Sequence, residues 1–148
     1  MKRIIVFCVL ASVLGACNKD KFKTQPQVTI NSFNPSEANV GAIVSLNATI
    51  RDKEGDLQDS LLVVRKRYSG DNLLTADTIR YSLADYNFPD KSKIELQLLF
   101  DYGQIVPGTI LINQEQVDRN FAIGIIIRDR AGNKSDYVES AKIVLKKI

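Results

Sequence analysis

Four acidic residues lie within eight positions of this chain and have the clearest potential for chemistry: Asp52, Glu54, Asp56 and Asp59. Carboxylate oxygens are the ligands that calcium prefers, and acids at alternate positions of a turn can converge on one cation. Asp129 follows an apolar strand and is expected near the same pole of the domain. Asp52, Glu54, Asp56 and Asp129 are therefore a candidate calcium site. The interpretation we prefer from the sequence is that the acids and the glycine among them only build a solvated turn, so that no cofactor is expected.

A second group of candidate residues is aromatic and lies between positions 81 and 88: Tyr81, Tyr86 and Phe88. Carboxylates and amides surround these rings in the sequence. A ring face can stack on the apolar C–H groups of a sugar while polar neighbours bind its hydroxyls. The group is therefore a candidate ligand platform for a glycan. The alternative is that the rings cap an open edge of the core, as rings near strand ends usually do.

The basic run Arg65-Lys66-Arg67 could form a patch for an anionic partner. In a strand, however, Arg65 and Arg67 share one face and Lys66 takes the other. Charged side chains of this kind protect an exposed edge strand from pairing with another chain. We therefore interpret the run as the end of an edge strand.

The composition argues against most catalytic mechanisms. The chain contains no histidine and two cysteines, so the Ser–His pair and the commonest general base are excluded. Pairs of acids such as Asp52 with Asp56, or Asp85 with Asp90, leave an acid-based hydrolase as a remote alternative. No cluster of basic residues suggests nucleic acid as a partner. We predict that the protein is not an enzyme.

The first seventeen residues have the organisation of an export signal. Lys2 and Arg3 precede an apolar run, Ile4 to Leu14, that is too short to span a bilayer. The run ends in Leu14-Gly15-Ala16-Cys17, which resembles the lipobox of bacterial lipoproteins. That resemblance implies cleavage before Cys17, acylation of Cys17, and attachment to a membrane outside the cytoplasm. Lipid chains on one cysteine anchor a protein lastingly when there are two or more.

The predicted domains are a signal peptide at 1–16, the lipidated cysteine with a polar tether at 17–27, and one folded domain at 28–148. The whole chain carries a net charge of +3, which falls to +1 when Lys2 and Arg3 leave with the signal. The tether holds one acid, whereas the surface-export signal of Bacteroidota lipoproteins holds several. We therefore expect an outer-membrane lipoprotein that faces either the periplasm or the cell surface.

From residue 28 onward the apolar residues alternate with polar ones, the period of a β-strand. Turn residues separate eight predicted strands, in the spacing typical of two packed sheets. The expected strands lie near residues 28–30, 44–50, 61–68, 73–81, 94–100, 109–112, 121–127 and 141–145. The seventh is the most apolar and is predicted to be central. A single turn of helix is allowed at Val117 to Phe121.

Two segments carry a resemblance to a known fold. The segment from Val40 to Leu57 resembles strands A′ and B of bacterial immunoglobulin-like and cadherin-like modules, followed by their acid-glycine-acid turn. The segment from Ile127 to Ser135 resembles their F–G hairpin, in which Gly132 and Asn133 suit a tight turn. The resemblance implies an all-β domain, a single antiparallel β-sandwich of immunoglobulin-like or fibronectin-III-like type.

The sequence leaves several functions open. The first is a lipid-anchored accessory module of the cell envelope that binds a protein partner without catalysis. The alternatives are a glycan-binding lipoprotein of a nutrient-uptake system and a calcium-binding cadherin-like module. An exposed edge strand with apolar neighbours favours a protein partner, and an exposed aromatic face favours a glycan.

Overall fold

A computed structural model describes residues 25–86, 89 and 91–148, with the backbone alone at Tyr86. The fold is all-β, and its strands are β1 (Gln27–Asn34), β2 (Glu37–Ala38), β3 (Ile43–Arg51), β4 (Ser60–Ser69), β5 (Asn72–Ser82), β6 (Lys93–Tyr102), β7 (Ile110–Ile112), β8 (Arg119–Arg128), β9 (Val138–Glu139) and β10 (Ile143–Leu145). All eight predicted strands are present. The helical turn expected at Val117 to Phe121 is wrong, because that segment runs into β8. Within the described ranges the only helical segment is a 3-10 turn at Ala84–Tyr86.

The strands form two sheets. The first sheet has the order β1-β3-β6-β7, and the second has the order β2-β10-β8-β4-β5, with β9 also paired to β8. The long pairs are antiparallel, as predicted, but β10 pairs with β2 and β6 pairs with β7 in parallel. The loop between β6 and β7 is short for a parallel connection. It suffices because the two strands overlap by only three residues, so the chain turns back by a short distance.

One apolar core lies between the two sheets. It takes alternate residues of β3, such as Val44 and Leu46, and alternate residues of β8, such as Ile123 and Ile125. These side chains are withdrawn from water, and each contributes roughly 1.5–3 kcal/mol by burial. β8 lies third of five along the second sheet, which confirms that the most apolar strand is central.

The charged end of β4 was misinterpreted from the sequence. β4 lies between β8 and β5, so it is not an edge strand, and the edge of this sheet is β5. Arg65 and Arg67 do share one face, but they form ion pairs with Asp77 and Glu115 at 2.5 and 2.8 Å. Arg65 also donates to the carbonyl of Leu111 in β7 of the first sheet, at 2.6 Å. These arginines therefore connect elements of the fold.

Gly124, in the middle of β8, leaves room for the Tyr137 ring on the outer face of the second sheet, next to where β9 pairs with β8. A Cβ atom at this position would lie 2.1 Å from Cε2 of Tyr137, so only glycine leaves room for the ring. Ser140 continues the contact, because its hydroxyl accepts a hydrogen bond from the Ile123 amide at 3.0 Å. Ala122 and Gly124 on the outer face of β8 are buried, which the alternating pattern alone does not predict.

Glu139 is the centre of a polar cluster on this outer face. Its carboxylate accepts hydrogen bonds from the Lys66 ammonium at 2.5 Å, from the Tyr68 hydroxyl at 2.8 Å and from the Tyr137 hydroxyl. The Lys66 ammonium also lies 4.7 Å from the centre of the Tyr137 ring. Burial opposes the ionisation of Glu139, but the three donors outweigh it and lower the pKa of this carboxyl.

Candidate functional site

The loop between β3 and β4 is held by backbone hydrogen bonds to two other loops. The Asp52 amide donates to the Ser92 carbonyl at 2.9 Å, and the Arg130 amide donates to the Asp56 carbonyl at 2.9 Å. Gly55 lies in the left-handed region with φ of 74°, where the backbone of Lys91 approaches to 3.4 Å from its hypothetical Cβ. The loop is therefore fixed against the start of β6 and against the loop after β8.

Asp129 is positioned by the turn that follows β8. Its two carboxylate oxygens accept hydrogen bonds from the Asn133 amide and the Asn133 side chain, both at 2.7 Å. The turn closes through the Asp129 amide, which donates to the Asn133 carbonyl at 3.0 Å. Asp129 is fully buried. The residue that the sequence placed at this pole is thus aimed inward and locked in place.

Three carboxylates converge at this pole: Asp52, Asp56 and Asp129. Each offers one oxygen, and these three oxygens lie within 4.8 Å of one another. Oxygens bound to the same calcium ion at about 2.4 Å lie within about 4.8 Å of one another, so the three are close enough to be candidate ligands of one cation. Glu54 is exposed and does not belong to this group. We name Asp52, Asp56 and Asp129 the carboxylate triad.

The triad is an unusual environment for acids. Asp52 is 2% exposed, and its Oδ2 accepts the Asp56 amide at 3.0 Å. The Oδ1 atoms of Asp52 and Asp56 are buried and have no hydrogen-bond partner among the residues that the structure describes. Burial raises the pKa of Asp52, and the neighbouring Asp56 carboxyl raises it further.

Basic side chains near the triad neutralise a different acid. Arg80 and Arg128 approach Asp59 Oδ2 at 3.6 and 3.5 Å. The ion pairs that the structure describes for lysines and arginines involve acids other than the triad. A buried acid normally has a partner for each oxygen, because an unpaired polar atom costs about 1–3 kcal/mol. The arrangement is chemically suited to a hard divalent cation, and it has the donor set that calcium takes.

The aromatic platform is not assembled by the described residues. Tyr81 is half-buried and packs against the core, where it lines an apolar cleft of about 310 Å³ together with Leu61, Leu83, Leu96 and Leu98. The side chain of Tyr86 and all of Phe88 lie outside the described residues, as does Cys17. The structure therefore describes the side chain of only one of the three predicted rings, Tyr81, and this ring packs against the core.

A polar cleft that the sequence analysis missed lies beside the triad. It has a volume of about 270 Å³ and is lined by Gln25, Gln27, Arg51, Asp52, Lys53 and Ser92. Arg51 pairs with Gln27 and with Lys93 in the ladder, so the cleft lies at the ends of three neighbouring strands. The sequence does contain a feature that could have predicted this cleft. Polar residues stand at the ends of strands that pair with one another, and such residues lie together at one pole of the domain.

The comparisons with known proteins show remote likeness. No family model and no curated protein matches the chain. The sporulation control protein Spo0M from Bacillus subtilis is 10% identical over 84% of this chain, with a TM-score of 0.47; this chain spans 50% of its length. A putative late embryogenesis abundant protein is 13% identical, covering 88% of this chain and 77% of its own, with a TM-score of 0.42. A CARDB domain from Pyrococcus furiosus in complex with di-metal ions is 9% identical, covering 84% of this chain and 93% of its own, with a TM-score of 0.29.

At these scores the similarities assign neither a family nor a function to the chain. Among the described residues, no helix is long and apolar enough to cross a bilayer.

Proposed function

We propose that this chain is a non-catalytic, lipid-anchored binding module of the cell envelope, and that it binds a divalent cation, calcium first, through the carboxylate triad. The main support for a cation is Asp52, which is buried and whose Oδ1 lacks a hydrogen-bond partner among the described residues. One oxygen of Asp52 also lies within 4.8 Å of an oxygen of each of the two other carboxylates. A cation would supply the missing partner for Oδ1 and offset the repulsion between the acids. The sequence alone favoured a protein-binding module, and this geometry is the reason for preferring the cation.

We propose an immunoglobulin-like type of sandwich for the module. In support, β2 leaves the sheet of β1 and pairs in parallel with β10, and the order β2-β10-β8-β4-β5 corresponds to A′-G-F-C-C′ of a variable-type sheet. The first sheet departs from that pattern, because β7 follows β6 in the chain where strand D would precede strand E. The loops that carry the triad correspond to B–C and F–G.

The cation is tested by thermal unfolding of the full chain in detergent, in calcium and in chelator. Ligands that bind only the folded state add RT ln(1 + [L]/Kd) to its stability. With a Kd on the order of 10⁻⁴–10⁻³ M, a few millimolar calcium contributes at least about 1 kcal/mol. We expect Tm to rise by several degrees for the wild type and not for Asp52→Asn.

Glu54→Gln is the matched control, because it removes an exposed acid from the same loop but outside the triad. It should keep the full response to calcium. An equal Tm in calcium and chelator for the wild type would refute the cation site, and so would an unchanged response in Asp52→Asn.

The lipid anchor is tested at Cys17. Metabolic labelling with a clickable fatty acid should mark the wild type and leave Cys17→Ser unmarked, because the thiol is the proposed acylation site. Fractionation should place the labelled protein with the outer membrane. Equal label on both proteins would contradict the anchor while leaving the cation site untouched.

A protein partner is a second candidate, favoured by the exposed edge of the second sheet. β5 is an eleven-residue edge strand on which Leu73 and Leu74 are 52% and 49% exposed. Unpaired backbone groups beside apolar side chains can receive a strand from another chain. A photo-crosslinking residue at position 74 should then give a discrete adduct in cells, whereas one at the exposed Leu99 in the first sheet should not. Equal adducts at both positions would contradict docking along β5.

A further inference from the structure

Three cationic side chains lie together at the outer face of the second sheet: Arg80 of β5, Arg128 of β8 and Lys134. The depression between them is lined by Ser60, Leu62, Arg80, Ile126, Arg128 and Lys134. Arg128 and Lys134 pair across an isolated bridge, so their side chains are neighbours on one face. Arg128 ends β8 and directly precedes Asp129, which places the group at the pole of the carboxylate triad. We name Arg80, Arg128 and Lys134 the cationic cluster.

The cationic cluster carries more positive charge than its surroundings neutralise. Asp59 Oδ2 lies 3.6 Å from Arg80 and 3.5 Å from Arg128, which is longer than a hydrogen bond. The same oxygen already accepts the Ser60 hydroxyl at 2.9 Å. Lys134 is exposed and does not occur in the ion pairs that the structure describes. Three positive charges therefore meet a single shared carboxylate.

Arg128 is held in place but keeps donors available. Its Nε is buried and has no hydrogen-bond partner among the described residues. A Cβ atom at Gly132 would lie 3.3 Å from Nη2 of Arg128, so the glycine leaves room for the guanidinium against the turn after β8. The side chain as a whole is 41% exposed. Because a guanidinium has five N–H donors in a fork that matches carboxylate and phosphate, Arg128 can present its terminal donors to an anion.

The size and charge of the depression select the anion. Its volume is about 70 Å³, room for about two water molecules at roughly 30 Å³ each, which suits one phosphate group and excludes a sugar ring. The residues that line it include no acid. A phosphomonoester carries a charge of about −1.5 to −2 at pH 7, which balances the two positive charges that Asp59 leaves over. A carboxylate or a phosphodiester carries only one negative charge.

The cationic cluster also lies on the side from which the proposed lipid anchor comes. Gln25 precedes β1 at the pole of the triad, and it lies eight positions after Cys17 in the sequence. Eight extended residues span at most about 29 Å, so an anchored domain keeps this pole close to the lipid headgroups. Cationic side chains near an anionic membrane surface are attracted to it.

We propose that the cationic cluster binds the phosphomonoester group of a lipid in the membrane to which the chain is anchored, and so holds the pole of the triad against that surface. Free phosphate is the other source of the same chemistry, and the experiment separates the two. The inference rests on the proposed anchor at Cys17 but not on the proposed cation site, so Asp52→Asn should leave lipid binding unchanged.

Energy transfer in lipid nanodiscs tests the proposal on the full, acylated chain. A donor dye is attached at Ser82→Cys, an exposed position that pairs with Ser60 beside the cationic cluster, and an acceptor dye is carried by the lipid headgroups. We expect transfer to rise when phosphatidic acid, a phosphomonoester lipid, replaces part of the phosphatidylcholine. Phosphatidylglycerol, a phosphodiester, should have a much smaller effect. Inorganic phosphate at constant ionic strength should reverse the rise by competition.

Lys134→Gln is the decisive variant, because this lysine takes no part in the described ion pairs. It should raise the content of phosphatidic acid that gives half-maximal transfer about three- to fivefold. Lys91→Gln is the matched control, since it removes an exposed lysine whose backbone contacts the loop of the triad at Gly55 but which lies outside the cationic cluster. It should change the half-maximal content less than about twofold.

Three results would overturn the lipid site: no dependence on phosphatidic acid, an equal response to phosphatidylglycerol, or equal effects of Lys91→Gln and Lys134→Gln. Thermal unfolding in detergent and chelator identifies free phosphate as the ligand instead. If inorganic phosphate raises Tm of the wild type but not of Lys134→Gln, while phosphatidic acid has no effect in nanodiscs, the membrane is the wrong source. Absence of acylation at Cys17 would refute the anchor itself and with it the membrane source.

Discussion

Asp52 is buried and Glu139 is half-buried, and the surroundings of these two acids differ in kind. Glu139 has an ammonium and two tyrosine hydroxyls directed at its two oxygens. Asp52 accepts a hydrogen bond from the Asp56 amide, and the Gly55 amide also favours its ionised form. Two further acids lie nearby, and its buried Oδ1 has no hydrogen-bond partner in the described structure. The pKa of Glu139 is accordingly lowered and that of Asp52 is raised. The first acid completes a structural network, whereas the second belongs to a cluster of acids with no such donors.

The largest expected effect breaks the network at Glu139. Glu139→Ala should lower the free energy of unfolding by about 2–3 kcal/mol, because the Lys66 ammonium and two hydroxyls lose a charged acceptor. Urea unfolding of the variant measures the loss. Glu139→Gln keeps one acceptor oxygen and should lose less. A cost below about 0.5 kcal/mol for Glu139→Ala would show that the network contributes little.

The second largest effect is expected from a substitution at Gly124, which lies under the Tyr137 ring of the same network. Gly124→Ala should cost about 1–2 kcal/mol, because its Cβ displaces the Tyr137 ring that donates to Glu139. In a Tyr137→Ala background the same substitution should cost much less. The double-mutant cycle is measured by urea unfolding, and full additivity would contradict the contact.

A substitution in the triad is expected to change the free energy of unfolding in the opposite direction. In chelator, Asp52→Asn should leave the protein equally stable or more stable, by up to about 1 kcal/mol, because a buried charge without a counter-ion is removed. The amide oxygen of asparagine can still accept the Asp56 amide. A loss above about 1 kcal/mol in chelator would contradict the contrast with Glu139 and assign Asp52 a structural role.

The smallest expected effect concerns pH. Because the folded-state pKa of Glu139 is below its usual value of 4.5, its ionisation stabilises the fold above that value and the contribution is lost as the pH falls through the lowered pKa. Glu139→Gln should therefore lose less stability than the wild type when the pH drops below about 4.5. Parallel stability curves for the two proteins, measured by urea unfolding across this range, would contradict the assignment.

The strands were predictable from the sequence where alternate residues are buried and exposed. In β3 one face packs on the core and the other meets solvent, so Val44 to Ile50 alternates and the strand is visible in the sequence. β2 and β9 have two residues each, too few for any period, and were missed. The run at Arg65 to Arg67 was misinterpreted because charge on a strand resembles edge protection, whereas its acidic partners are distant in sequence.

The site was predictable in position but not in burial. The turn after β3 and the turn after β8 had to share a pole once two sheets were assumed, which brought Asp129 to Asp52 and Asp56. The loop that carries Asp52 and Asp56 is oriented by backbone hydrogen bonds to Ser92 and Arg130, and this orientation decides which acids are buried. No sequence pattern predicts these hydrogen bonds. Glu54 was included for its spacing alone, and the loop directs it to solvent.

The pairing of β1 also has a mechanical consequence. β1 pairs with β3 from Gln27 to Asn34, and the described chain leaves this strand at the pole opposite to Ile148. A force that pulls on Gln25 while the far pole is held acts along the strand axis. It loads all the rungs of this ladder together in shear instead of peeling them one at a time. We therefore expect the ladder between β1 and β3 to resist such a pull better than it would resist peeling.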